Sequence, residues 1–130
     1  MKMSLTRLRE ASIHWASQLC IYADYPTQLT ETTAAPSVIY MKGEMLTTDE
    51  PAIAVVGSRD ATPYGLEMTR RISYDLARAG VTVVSGLARG IDTAAHRAAL
   101  EAGGRTMAVL GSGLDPVYPQ RNIPMAAKII

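Results

Sequence analysis

Pro51-Ala-Ile-Ala-Val-Val-Gly-Ser-Arg59, followed by the stretch Thr62-Pro63 to Ala79-Gly80 and then Val81-Thr-Val-Val-Ser-Gly86, decides the fold class. The apolar run Ala52–Val56 is short and bounded by turn formers, and reads as a strand. Thr62 is a helix N-cap with Pro63 at the first helical position, where a missing N–H costs nothing, and Gly80 stands where a left-handed C-terminal residue is wanted. A helix over Pro63–Ala79 is therefore predicted, with Met68, Ile72, Leu76 and Ala79 as its buried face and Arg70, Arg71, Asp75 and Arg78 towards solvent.

The alternation continues. Val81–Val84 is a second strand and Asp92–Ala102 a second helix whose buried stripe, Ala95, Ala98, Ala99 and Ala102, is small enough to lie close to a sheet. Gly103 and Gly104 end that helix, Arg105 leads out of it, and Thr106–Leu110 is a third strand. Strand and helix taking turns in this way make an α/β fold, a βαβαβ core with a parallel sheet. Upstream, residues 1–50 read as a lead-in: a helical start (Leu5, Leu8, Ile13, Trp15, Ala16), then short apolar runs at Gln18–Tyr22 and Val38–Met41 between the turn formers Asp24, Pro26 and Pro36. The expected division is a lead-in over 1–50 and the α/β domain over 51–130. Gly111–Pro119 is turn-rich, and Asn122–Ile130 begins as a helix and stops within two turns. Three core strands are few for such a sheet, so the fold is expected to be incomplete at the C-terminus and to continue beyond Ile130.

Composition narrows the function. The chain has 130 residues, 48% apolar and 19% charged, enough for a core and too apolar for disorder. Net charge is +1, so the whole-molecule field does not by itself recruit nucleic acid or an anionic membrane. The distribution says more: residues 1–50 hold four basic and six acidic side chains, residues 51–130 nine and six, and eight of those nine are Arg. The guanidinium fork matches phosphate and carboxylate bidentately, so the second half leans towards anionic partners. A lone Cys20, read as a buried strand thiol, permits no internal disulfide and points to the cytoplasm; no apolar run approaches the ~18 residues of a membrane span.

Each core strand ends in a Gly/Ser loop: Gly57-Ser58-Arg59 after the first, Ser85-Gly86 leading to Arg89-Gly90 after the second, and Gly111-Ser112-Gly113 after the third. In a parallel sheet these loops share one edge, the edge where open α/β sheets bind ligands. Glycine lets backbone N–H groups approach an anion, serine adds donors, and Arg59 and Arg89 add charge. The bland reading is that these residues merely make tight turns; three such loops on one rim favour a phosphate cradle.

The anion is not a dinucleotide. Gly57 has Arg59 two residues on, Gly111-Ser112-Gly113 has Pro116 where a third Gly belongs, and Ser85 stands where an acidic residue would hold a ribose, so neither NAD nor any other cofactor is expected. The P-loop pattern is absent as well. Asp92 and His96 are spaced for an i,i+4 pair, which is either a general base held by its carboxylate or, more commonly, a helix-capping Asp beside a structural His. No placed nucleophile accompanies them, so catalytic residues are none, and two His with one Cys give no metal cluster. Arg59 itself either faces a ligand or pairs with Asp60 or Asp115.

The motifs Ala54-Val-Val-Gly-Ser-Arg59, Val81-Thr-Val-Val-Ser-Gly-Leu-Ala-Arg-Gly-Ile-Asp92 with Ala95-His96, and Ala108-Val-Leu-Gly-Ser-Gly-Leu-Asp115 with Tyr118-Pro119 and Asn122, resemble the DNA-processing protein A (DprA/Smf) family. The lead-in segments Tyr25-Pro-Thr-Gln-Leu29 and Ile39-Tyr-Met-Lys-Gly43 are similar to that family too. The resemblance runs from about Tyr25 to Asn122. It implies a Rossmann-like domain that binds single-stranded DNA, protects incoming strands in natural transformation, helps load the RecA recombinase, and performs no catalysis. It also implies that Arg59 and the Ser85/Gly86 and Gly111–Gly113 loops line the DNA pocket. Family members carry a helical domain before the lead-in and further basic residues and a homodimer surface after the Asn122 region. From different classes come two alternatives, a nucleotide-binding module and a nucleoside monophosphate phosphoribohydrolase-like enzyme; the latter needs a Pro-Gly-Gly loop with a following Glu, which this sequence lacks.

Overall fold

The structure is a computed structural model that describes residues 18–21, 27–114 and 116–130. The chain divides into two compact units, the first ending at Glu44 and the second running from Met45 to Ile130. In the first, strand β1 (Gln18–Ile21) pairs antiparallel with β2 (Val38–Met41), and a single helical turn, α1 (Thr27–Thr30), lies between them in sequence. The helical start expected near Leu5–Ala16 lies outside the described residues, and so does the Cys20 side chain.

The second unit holds three parallel strands in the order β3 (Ala52–Ala54), β4 (Thr82–Ser85), β5 (Thr106–Ala108). Ile53 stands opposite Val83, and Val83 opposite Thr106. The two outer strands are shorter than their apolar runs suggest because the backbone turns away after the last shared bonds, Val55 N–H to the Val84 carbonyl and Val109 N–H to that of Ser85, both 2.9 Å. Central β4 is the most buried strand, whereas all three residues of β3, an edge strand of this sheet, are exposed.

Helices α2 (Pro63–Arg78) and α3 (Ile91–Glu101) connect the strands. Strands added in sequential order by right-handed crossovers place both helices on one face. The core forms there, from Ala77 of α2, Val83 of β4, and Ala95 and Ala99 of α3, with Val55, Leu76 and Ala102 packed around it. Thr62 caps α2 as expected, its Oγ1 accepting from Gly65 N–H at 3.1 Å, and Gly80 has φ +81°. A short 3-10 turn, Gln120–Asn122, leads into the last helix, α4 (Ile123–Ile129).

One expectation is corrected. The buried stripe of α2 is Thr69, Ser73 and Ala77, not the Met68, Ile72, Leu76 and Ala79 face: Ile72 is 49% exposed, Ala79 is exposed, and Met68 and Leu76 are half-buried. The reason is helix-to-helix distance. α3 presents Ala95, Ala98 and Ala99, all fully buried, and Gly65 of α2 lies close enough that an added Cβ would stand 3.7 Å from the Ile91 Cδ1 of α3. A close approach selects the row of small side chains at four-residue spacing over the row of large ones.

Candidate nucleic-acid interface

All three loops leave the carboxyl edge of the sheet, and the first two are joined there by hydrogen bonds and close packing. The Ile91 N–H at the start of α3 donates to the Ser58 carbonyl at 3.2 Å, joining the first loop to the second. Gly90, with φ +81°, lies against the backbone carbonyls of Ser58 and Arg59 so closely that a Cβ has no space. An added Cβ at Gly57 would likewise stand 2.8 Å from Ile91 Cγ1. The Ser85 hydroxyl donates to the Val55 carbonyl at 2.6 Å, and Val109, entering the third loop, bonds the Ser85 carbonyl.

The second loop is held from two further sides. Asp92 Oδ2 accepts from Gly86 N–H at 3.1 Å and Ala88 N–H at 3.4 Å. Asn122 Nδ2 donates to the Leu87 carbonyl at 2.8 Å and to Thr93 Oγ1 at 2.9 Å, and Thr93 in turn donates to the Ala88 carbonyl. Held so, Leu87 is fully buried and takes the left-handed conformation, φ 58°, which costs a non-glycine residue energy and persists only where its surroundings dictate it. Helix α3 begins one residue earlier than expected, with Gly90 as its N-cap, and the Asp92 carboxylate reaches back to order the loop.

These contacts sort the rim residues by task. Ser85, Gly86, Gly57 and Gly90 build the rim: the first two use their donors internally, and the two glycines allow close backbone packing. Ser58, Arg59, Arg89 and the Gly111-Ser112-Gly113 loop are exposed at its surface. Asp60 pairs with Arg89 at 2.9 Å, both well exposed, a contact of small worth that a phosphate can exchange. Arg59 therefore does not pair with Asp60, and among the described residues it has no ion-pair partner; Asp115 lies outside them. Gly113 has φ +82°, and a Cβ at Gly111 or Gly113 would meet nothing within 4 Å, so the third loop faces open space.

His96 takes no part in the rim. It is fully buried, with Nδ1 2.8 Å from Thr106 Oγ1, which itself donates to the Val83 carbonyl, so the Nδ1–H tautomer fits that contact and leaves Nε2 buried without a hydrogen-bond partner among the described residues. The imidazole faces Thr106 inside the core, while the Asp92 carboxylate faces the Gly86 and Ala88 N–H groups of the second loop. Burial pushes the His96 pKa down to about 4, against the opposing pull of Asp92 and the Ser85 carbonyl. The unfolded chain binds this proton near the ordinary 6.5, so stability is full above that pH and falls as pH drops from about 6.5 to about 4. About 2.5 pH units at ~1.4 kcal/mol each is about 3 kcal/mol. Urea midpoints measured between pH 7 and pH 4.5 should fall accordingly, and His96→Gln should lose that dependence; an unchanged slope in the variant would assign the titration elsewhere.

Against this geometry the comparisons with known proteins are decisive: residues 18–130 match the family described as DNA recombination-mediator protein A. The chain belongs to the DNA recombination-mediator protein A family. It is 42% identical over 127 residues to Protein Smf of Escherichia coli, covering 93% of this chain and 34% of that protein. To the DNA processing protein DprA of Streptococcus pneumoniae it is 45% identical over 98 residues, 75% of this chain and 34% of the relative. The X-ray structure of the pneumococcal protein superposes with a TM-score of 0.80 at 36% identity, over 95% of this chain and 45% of that one. A Helicobacter pylori DprA structure, described for its single-stranded DNA binding mode, gives 0.73 at 29% identity, over 86% and 51%. The chain spans about a third of the length of these curated relatives.

Membership in the recombination-mediator family fits the Rossmann-like α/β architecture. Among the described residues no helix is long and apolar enough to cross a membrane. Sequence reading of this family member missed a groove beside the rim, between the N-terminal half of α2 and α3, where Arg97 and Arg121 line the walls. No local pattern links the two, since 24 positions separate them in the chain.

Proposed function

We propose that this chain binds single-stranded DNA on the rim formed by its three βα loops and releases it unchanged. As in the role implied for its family, it protects incoming strands during natural transformation and delivers them to the RecA recombinase in the cytoplasm, with a homodimer as its working form. The observation that carries this reading is Arg59, exposed and without an ion-pair partner among the described residues, on an edge where rigid glycine-lined loops leave open space for an anion. The rim donors act on phosphate, and no general base reaches them from His96.

The test is salt dependence. Each phosphate neutralised on a single strand contributes about −0.7 to the slope of log affinity against log salt. Arg59→Ala should weaken binding of unrelated single-stranded sequences equally and flatten the slope by about that amount, while Arg78→Ala, an exposed Arg in the last turn of α2, should leave both unchanged. Equal losses in the two variants would reduce the interaction to diffuse charge. AMP and oligonucleotide incubated with the chain should be recovered intact; product that disappears with Arg59→Ala would make the protein an enzyme.

A further inference from the structure

The groove of about 690 Å³ beside the rim belongs to no part of the loop cradle except through Gly90, which lines both. Its α2 wall carries Leu66, Glu67 and Arg70, its α3 wall Ala94 and Arg97, and Arg121 closes one side. Three guanidinium groups against one carboxylate give the lining a net charge of +2, and the carboxylate is already occupied: Glu67 accepts from Arg70 Nη2 at 3.1 Å and Nε at 3.2 Å. Arg97 and Arg121 are exposed and have no ion-pair partner among the described residues. Between the charges the surface is apolar, formed by Leu66 and Ala94. Alternating free cations and apolar surface suit a polymer with a repeating anion and flat, weakly hydrated bases.

We propose that this groove is a second segment of the single-stranded DNA path, in which Arg97 and Arg121 hold backbone phosphates of the strand as it leaves the rim at Gly90. The inference rests on the rim reading and extends it. From Pro63 to Arg70 the α2 wall is about 10 Å long at 1.5 Å per residue, so the groove adds contacts only to strands that outrun the rim. Contact through it is therefore length-dependent, which the rim alone does not produce. Nothing in it reads base edges, and the segment is indifferent to sequence.

The experiment measures binding of oligothymidylates of about 5 and about 20 nucleotides to the full chain, its Arg97→Gln/Arg121→Gln variant and Arg59→Ala, by fluorescence anisotropy at two salt concentrations. Over a fourfold rise in salt each phosphate contact costs about 2.6-fold in affinity, so the long strand should lose about 7-fold more affinity from the wild-type chain than from the double variant. The short strand should bind both equally, and Arg59→Ala should weaken both lengths. Wild-type affinity and slope for the long strand in the double variant would overturn the groove while leaving the rim intact. Failure of the wild-type chain to bind either strand, or no effect of Arg59→Ala, would overturn the rim reading and the groove with it. An oligoglutamate peptide that displaces the long strand from wild-type chain but not from the double variant, with short-strand binding untouched, would assign the groove to an acidic protein segment instead. Matching melting temperatures verify the fold; should the double variant fail to fold, Arg97→Gln alone should show about 2.6-fold, and no change there overturns the proposal.

Discussion

Gly90→Ala should unfold the Met45–Ile130 unit or come close to it. At φ +81° and ψ −127° Gly90 occupies backbone space that is essentially reserved for glycine, a strain of about 1–3 kcal/mol for any other residue. The added methyl would also meet the Ser58 carbonyl oxygen and stand 2.7 Å from that of Arg59. The Ser58 carbonyl is not free to retreat, because Ile91 N–H holds its oxygen at 3.2 Å. Together these cost about 3–5 kcal/mol, a large part of the ~5–15 kcal/mol that keeps a domain folded. Gly113→Ala is the matched control: its φ is +82°, but a Cβ there would meet nothing within 4 Å, so its cost should stay near 1–2 kcal/mol. Urea denaturation of the two variants checks the argument. Equal midpoints would mean that conformation alone matters and that the contact between the loops is loose. At temperatures where Gly90→Ala remains folded, DNA affinity should also fall, since the displaced segment carries Arg59.

Arg105→Ala should cost about 3 kcal/mol at neutral pH by stranding a buried charge. Asp49, 2% exposed, accepts from Arg105 Nε at 2.6 Å and Nη2 at 3.2 Å, and its Oδ2 also accepts from Leu46 N–H at 2.7 Å. The clasp ties the turn before β3 to the entrance of β5. The Arg105 hydrogen bond holds the Asp49 carboxyl below its ordinary 3.8 despite burial, so the stability it contributes is present above that pH and lost as pH falls through the lowered value. Remove the guanidinium and burial dominates, raising the Asp49 pKa above that of the unfolded chain. The deficit of Arg105→Ala should therefore shrink as pH is lowered towards 4, and Asp49→Asn/Arg105→Met should be more stable than Arg105→Ala alone. A deficit independent of pH would show that lost packing, not charge, is responsible.

Local signals settled much of this protein. Thr62-Pro63 and Gly80 bound α2, and Gly103 ends α3, because capping and positive-φ demands act within a few residues and are written in residue type. The parallel arrangement follows from the order of runs, and with it the meeting of the Gly57, Gly86 and Gly111 loops, since all carboxyl ends of a parallel sheet face one way. The family could be read from the motifs in those loops.

What tertiary structure decided lies in distances between elements. Hydrophobicity singles out Ile72 and Leu76 on α2, yet the close approach of α3 selects Thr69, Ser73 and Ala77 and leaves the larger side chains half out. Ser85 and Gly86 look like phosphate donors in sequence; only their contacts with Val55 and Asp92, 30 and six residues away, show those donors in use. Asp49 and Arg105 are 56 positions apart, and Arg97 and Arg121 share a groove without sharing a motif. Residue type specifies what a side chain can do, whereas which partner it meets is set by long-range packing, whose energy depends on the whole core rather than on any one segment.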